Sequence, residues 1–363
     1  MKEKNIPKYL QLKQEILTWI HSGKLKANDK IPTENEIAKQ FEVSRHTVRQ
    51  TLGELENEGW LFKIQGSGTF VSRREPSKDN GLKIIGVLTT YISDYIFPHI
   101  VRGAEETLRQ RGYRLLLSST DNNKEKEREN LEMLINQPLS GLIIEPTKSA
   151  QGNPNLDLYL TLNNVDIPYL MINERYAEMS CPVIKVDDEH GGFLATEHLI
   201  NLGHEHIIGF FKADDVQGVN RLKGFIRAHQ AYKKTIAPNA VISYVTEEKE
   251  TRPLQVALDI LQDTSNRPTA FVCYNDELAI KLLEVIRGAQ LTVPNDISIV
   301  SFDDSLLAVA TETKLTTLTH PKAELGAKAA EVLMRMIENQ SDYQLEDIIF
   351  TPELVIREST KMN

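Results

Sequence analysis

Short apolar runs alternating with helical segments fill residues 84–304, and this alternation constrains the fold more than any other feature of the chain. The runs are 84-IIGVLT-89, 114-RLLLSST-120, 141-GLIIEP-146, 168-PYLMIN-173, 183-VIKVD-187, 207-IIGFF-211, 241-VISYVT-246, 269-TAFVCYN-275 and 297-ISIVSFDD-304. Between them lie amphipathic stretches such as 101-VRGAEETLRQRGY-113, 189-EHGGFLATEHLINLG-203 and 276-DELAIKLLEVIRG-288. Strands that are apolar throughout need cover on both faces, and helical connections supply it, so these runs belong in parallel sheets. Nine of them are too many for one comfortable sheet, which predicts two doubly wound lobes.

The first ~75 residues follow a different pattern. Leu12, Ile16, Leu17 and Ile20 give a helical period that stops at Ser22-Gly23. Thr33 and Glu36 have capping-box spacing behind Pro32, so a second helix starts there. The segment 41-FEVS-44 reads as a turn, and Ser44 caps a third helix with Val48, Leu52 and Leu55 on one face, ending at Gly59. Two short strands, 60-WLFKI-64 and 69-TFV-71, flank the glycine-bearing tip 65-QGSG-68. Helix, turn, helix and hairpin form a winged helix-turn-helix pattern. The breaker-rich run 73-RREPSKDNG-81 reads as a linker. The expected division is therefore a head over 1–74, a linker over 75–82 and a two-lobed body over 83–363.

Charge separates the same regions. The formal net charge is -9, yet residues 1–75 hold 13 Lys+Arg against 10 Asp+Glu. A basic head on an acidic body points to different partners for the two. With 26% charged and 40% hydrophobic residues, the composition is that of a soluble globular protein. No apolar h-region follows the first lysines and no run reaches ~18 apolar residues, so a cytoplasmic protein with neither secretory signal nor membrane span is expected. Cys181 and Cys273 sit among apolar or β-branched neighbours and read as buried free thiols. No cofactor motif is present. His204 and His206 lack zinc-protease spacing, and the adjacent Asp187-Asp188 reads as a helix cap rather than a metal site, so neither a metal nor catalysis is expected.

The string 43-VSRHTVRQTL-52 carries the chemistry of the head. In a helix-turn-helix, the N-terminal end of the second helix meets the DNA major groove, and Arg45, His46, Thr47 and Arg49 occupy that end. Arginine either clamps phosphate or binds guanine bidentately, and the sequence leaves that choice open. Gln65 at the hairpin tip is the stronger wing candidate, since the tip glycines also suit a plain turn. Lys8 and Tyr9 are placed to reach the DNA backbone, with Tyr9 equally acceptable as a core aromatic. Taken alone, the basic residues fit a solvated helix face; the turn, caps and wing favour double-stranded DNA.

The string PTENEIAKQFEVSRHTVRQTLGELENEGWLFKIQGSGTFV resembles the DNA-binding head of GntR-family regulators, with Ile37 and Thr51 as mild departures from its usual Leu and Ala. The resemblance implies operator contacts by Glu34, Arg45, Thr47, Arg49, Gly66 and Gly68. The body resembles the LacI/GalR sugar-sensing domain through 186-VDDEHGGFLATEHLINLGHEHIIGF, 221-RLKGF, 273-CYNDELAI, 293-VPNDISIVSFDD and 315-LTTLTHPKAELG, strings that with 84-IIGVLTTYISDYIFPHIVRGAEETLRQRGY cover nearly all of it. Joining these two parts marks the arabinose-responsive repressors of Bacillus-like bacteria. That resemblance implies a homodimeric repressor of sugar-utilisation genes, released from its operator by L-arabinose; regulation by another pentose or sugar derivative, or sugar transport, is the alternative.

Sugar sites need carboxylates, amides and arginines for hydroxyls and aromatic faces for C–H surfaces, at the C-terminal ends of parallel strands. Glu145, Asn173, Asn275 and Asp303 hold such positions, and Arg221, read as preceding a helix, sits where LacI-type proteins place an arginine against the sugar. Tyr91, Asp94 and Phe97 follow the first body strand, and Lys148 follows Glu145; for Tyr91, Phe97 and Lys148, packing or solvation is an equal alternative. Asp276 and Asp304 read as caps or structural partners.

Overall fold

The structure, a computed structural model, describes residues 8–21, 23–57, 59–64, 67–72, 83–93, 95–338 and 346–363. The expected linker 75–82 lies outside these residues. Two compact units result, residues 1–82 with 156–167 and residues 83–155 with 168–363.

In the head, α1 (Lys8–His21), α2 (Glu34–Gln40) and α3 (Arg45–Asn57) precede a hairpin of β1 (Leu61–Ile64) and β2 (Gly68–Val71). The expected capping box forms: the Glu36 amide donates to Thr33 Oγ1 at 3.3 Å and the Thr33 amide to Glu36 at 2.7 Å. Ser44 accepts from the Thr47 amide at 3.1 Å, closing the start of α3. Each such cap stabilises its helix by about 1 kcal/mol. Val48, Leu52 and Leu55 turn inward onto Leu12, Ile16, Trp19 and Ile37, which leaves the opposite face of α3 to solvent.

The body holds two six-stranded sheets. The first lobe orders β13 (Ile348–Phe350), β7 (Val183–Val186), β6 (Tyr169–Ile172), β5 (Gly141–Ile144), β3 (Lys83–Thr89) and β4 (Tyr113–Ser119), all parallel. The second orders β14 (Leu354–Val355), β12 (Thr316–Thr319), β11 (Ser298–Asp303), β10 (Ala270–Cys273), β8 (Ile207–Lys212) and β9 (Val241–Tyr244), with β14 alone antiparallel. All nine expected strands form, and the two-lobed doubly wound architecture with them. The remaining helices are α4 (Phe97–Gln110), α5 (Lys124–Ile135), α6 (Leu156–Asn164), α7 (Asp188–Asn201), α8 (Val216–Ala231), α9 (Arg252–Gln262), α10 (Asp276–Gly288), α11 (Leu307–Ala310) and α12 (Lys322–Glu338).

Each lobe is sealed by a helix pair in glycine contact. A Cβ on Gly326 of α12 would stand 1.9 Å from the Ile100 carbonyl oxygen of α4, and one on Gly224 of α8 would stand 2.1 Å from the Glu189 carbonyl oxygen of α7. Only hydrogen fits there. The chain crosses between lobes three times, at β7–α7, β12–α12 and β13–β14. The crossings are tied together: the Asp187 amide donates to the Phe350 carbonyl, and the Thr319 amide to that of Glu353, each at 2.9 Å.

Candidate nucleic-acid interface and effector cleft

At the start of α3, Arg45, His46 and Arg49 are exposed while Thr47 is half-buried, its hydroxyl 2.9 Å from that of Ser44. Lys8 is exposed and Tyr9 half-buried. The carboxylate of Glu34, an expected DNA contact, is engaged by Arg49 at 3.0 Å through Nη2 and 3.4 Å through Nε. The Arg49 hydrogen bond, then the charges of Arg49, Lys63 and Arg45, hold the Glu34 carboxyl below its ordinary range. Glu34 thus orients Arg49 and reduces its freedom to sweep. Lys63, on β1, is a cation beside this face that sequence reasoning missed. Its contribution depends on the wing folding back toward α2, which no local pattern announces. Gly68 has φ +120 and packs against the Lys30 stem, with 2.6 Å between a hypothetical Cβ and Lys30 Cε. Gln65 and Gly66 lie outside the described residues, as does Asp94.

In the body, one cavity opens between the lobes at the C-terminal ends of the parallel strands. Tyr91, Phe97, Glu145, Asn173, Arg221, Asn275 and Asp303 all line it, although they come from seven separate points along the chain. Glu145 is buried. It accepts from the Thr90 amide at 2.8 Å, the Thr90 hydroxyl at 2.6 Å and Asn173 Nδ2 at 2.6 Å. Burial nevertheless raises its pKa, against those hydrogen bonds. Asn173 adopts φ +64, a left-handed backbone that aims its amide back at Glu145. The rings of Tyr91 and Phe97 lie 5.7 Å apart.

Arg221 lies inside α8 rather than before a helix, as the sequence reading had it. The helix starts earlier because Asp215 caps it, accepting from the Gly218 amide at 2.7 Å. The buried guanidinium donates to Asp188 at 2.7 Å, to Asp303 at 3.2 Å and to the Tyr274 carbonyl, and it stacks on Phe302 at 4.4 Å. Burial pushes the Asp188 carboxyl up to about 6 in spite of this partner. Asp187 caps α7 as expected, accepting from His190 at 2.9 Å. Asn275 is both a cleft residue and a cap, accepting from Leu278 at 3.0 Å. Asp276 is the structural partner foreseen: it collects Ser301, the Ser305 amide and hydroxyl, and Thr317.

Lys148 does not line the cavity. Its ammonium pairs with Glu247 across the cleft mouth, where Asn122 also bonds Thr246 at 2.6 Å and the Val216 amide bonds Ser149 at 2.9 Å. An opposite charge on the facing lobe takes Lys148 away from the cavity, and a sequence window around Glu145 cannot see that charge. The cavity wall also carries Tyr95, Lys212, Asp215, Gln217, Tyr244, Tyr274 and Glu277, none singled out from sequence. Position at strand ends was a usable signal for Lys212 and Tyr274, since both stand where β8 and β10 stop. Among the described residues, no group of three or more His, Cys, Asp or Glu is placed to hold a metal ion, and no helix is long and apolar enough to cross a membrane.

Residues 8–71 match the gntR family of bacterial regulatory proteins, and residues 196–360 match the periplasmic binding protein-like domain. An arabinose metabolism transcriptional repressor from Geobacillus stearothermophilus is 67% identical over 362 residues, covering 99% of this chain and 100% of that protein. The chain belongs to this family of arabinose metabolism transcriptional repressors. A second member, from Halalkalibacterium halodurans, is 47% identical over 361 residues, covering 97% of this chain and 96% of its own length. Among solved structures, a periplasmic binding protein/LacI transcriptional regulator from Alkaliphilus metalliredigens, complexed with D-xylulofuranose, superposes with a TM-score of 0.66 at 26% identity. It covers 77% of this chain and 99% of its own, so the likeness of the repressor to it spans a length matching the body alone.

Proposed function

We propose that this repressor binds operator DNA through α3 and the wing, and releases it when L-arabinose enters the interlobe cleft. The observation that carries the reading is the cleft. Paired carboxylates, amides and a buried guanidinium converge there from both lobes beside Tyr91 and Phe97, the donor, acceptor and apolar-face set a polyhydroxyl ring requires. Four cations on its wall, Lys212, Arg221, Lys249 and Lys281, stand against five carboxylates, Glu145, Glu174, Asp215, Glu277 and Asp303. That balance favours a neutral sugar over a phosphorylated one.

Glu145, Asn173, Arg221, Asn275 and Asp303 bind hydroxyls, and Tyr91 and Phe97 pack on the ring. Arg45 and Arg49 contact bases or phosphate, with His46, Thr47, Lys8 and Tyr9 beside them. The protein acts in the cytoplasm as a homodimer, which sets two α3 helices about 34 Å apart in successive major grooves. Sugar shifts the repressor only because it favours the conformation that binds DNA less well. Titrating operator-bound protein with L-arabinose in gel-shift assays tests this. Release by L-arabinose at lower concentration than by other pentoses is expected; a complex that survives saturating L-arabinose overturns the assignment.

A further inference from the structure

Lys212 closes β8 and brings its side chain to the cavity wall with only 11% of its surface exposed. Its ammonium lies 3.0 Å from Asp215 Oδ2 and 3.5 Å from Asp214 Oδ1, the second an ion-pair distance too long for a full hydrogen bond. An ammonium has three N–H donors, so at least one is left over on a residue that lines the cleft. The anchor is rigid. Asp215 is held by the Gly218 amide at 2.7 Å and the Tyr274 hydroxyl at 2.8 Å, and Gly218 is itself pressed against the Lys212 carbonyl, where a Cβ would stand 2.0 Å away.

Glu145 of the first lobe lines the same cavity, and the Lys212 charge lowers its carboxyl against the upward pull of burial. Glu145 spends Oε2 on Thr90 and Oε1 on Asn173, and each oxygen retains acceptor capacity. The cleft therefore offers a spare donor on one lobe and a spare acceptor on the other. A hydroxyl group can satisfy both at once, since it donates and accepts. Water satisfies them too, but without linking them through a rigid ring.

We propose that Lys212 is a specificity-determining effector contact: its ammonium donates to one oxygen of the sugar from the second lobe, opposite Glu145 of the first. This deepens the effector reading above and rests on it. Because donor and acceptor belong to different lobes, the contact is complete only when the lobes are closed on the sugar, and it ties recognition of that one oxygen to closure.

The test is calorimetric titration of the full chain with L-arabinose and with each monodeoxy-L-arabinose, in wild type and Lys212→Met. Wild type should bind one deoxy analogue at least ~10-fold more weakly than L-arabinose, as expected for loss of a charge-assisted hydrogen bond. Lys212→Met should bind L-arabinose ~10- to 100-fold more weakly and penalise that same analogue less than ~3-fold. If the single variant does not fold because Asp215 is left uncompensated, Lys212→Met with Asp215→Asn carries the same comparison. A variant that binds L-arabinose within ~2-fold of wild type overturns the inference, as does one weakened equally for every analogue, which would make Lys212 a brace for the α8 cap only. A wild type that binds no L-arabinose overturns the effector reading itself, a distinguishable result.

Discussion

The head and the body solve opposite problems with similar residues. At the start of α3, Arg45 and Arg49 are long, exposed and lightly restrained, with one carboxylate, Glu34, holding Arg49. In the cleft, Arg221 is buried and committed to Asp188, Asp303 and the Tyr274 carbonyl. A polyanion supplies its own field, so the head can keep its cations solvated until DNA arrives. A neutral sugar supplies none, and a polar group buried to meet it must already be paired. The same side-chain type is exposed and lightly held in one region, buried and already paired in the other.

The chain's two tryptophans, Trp19 and Trp60, both lie in the head core, so tryptophan fluorescence follows the head while far-ultraviolet circular dichroism follows mainly the body. Arg221→Leu leaves Asp188 and Asp303 as buried, uncompensated carboxylates and should cost the body about 3–5 kcal/mol. In urea melts the dichroism transition then falls while the fluorescence transition stays; equal shifts in both would break the contrast.

His320 sharpens it through pH. It is buried, 3.4 Å from Asn173, and its Nδ1 has no hydrogen-bond partner among the described residues. Burial pushes its pKa down to about 4, with Asp303 opposing and Lys322 and Arg221 reinforcing. Between pH 6.5 and 4 the unfolded chain takes up a proton that the folded body refuses, so stability falls as pH falls through this window. Asp188, raised to about 6, works in the opposite direction from pH 6 downward. The difference between wild type and His320→Gln isolates the histidine: the variant should lose on the order of 2 kcal/mol less on acidification, read from dichroism melts. Parallel pH profiles would show that the imidazole takes up its proton as readily in the folded body as in the unfolded chain.

Smaller effects are expected in the head. Arg49→Ala should weaken operator binding about 10- to 100-fold, by fluorescence anisotropy, and leave both melting transitions within about 0.5 kcal/mol of wild type. A shift of the fluorescence transition would make Arg49 structural after all. Glu34→Gln removes the restraint and a negative charge together, so binding to non-operator DNA should tighten while the operator-to-nonspecific ratio falls about 3- to 10-fold. A ratio that holds steady would mean that Arg49 needs no orienting.

Much of the architecture was legible because its signals are local. The caps at Thr33 and Ser44 and the nine apolar strands each depend on a few neighbouring residues, and all formed. β12 escaped notice because TTLT has no apolar run; its Thr316 and Thr317 are fully buried, and Thr317 answers a buried carboxylate from α10, Asp276. β13 and β14 are short edge strands that form only because the last interlobe crossing returns the chain beside β7 and β12.

Sequence alone determined which residues are apolar, where helices begin, and that a basic winged head precedes an acidic two-lobed body, since hydrophobic period, capping and charge are properties of neighbouring positions. Tertiary structure alone decided that Arg49 is held by Glu34, that Lys148 leaves the cavity for Glu247, and that Lys212 takes a place on the cavity wall. Each of these turns on a charge 15 to 99 residues away, or on the ends of separate strands converging. Long charged side chains choose partners by distance in space, and distance in space is what folding sets.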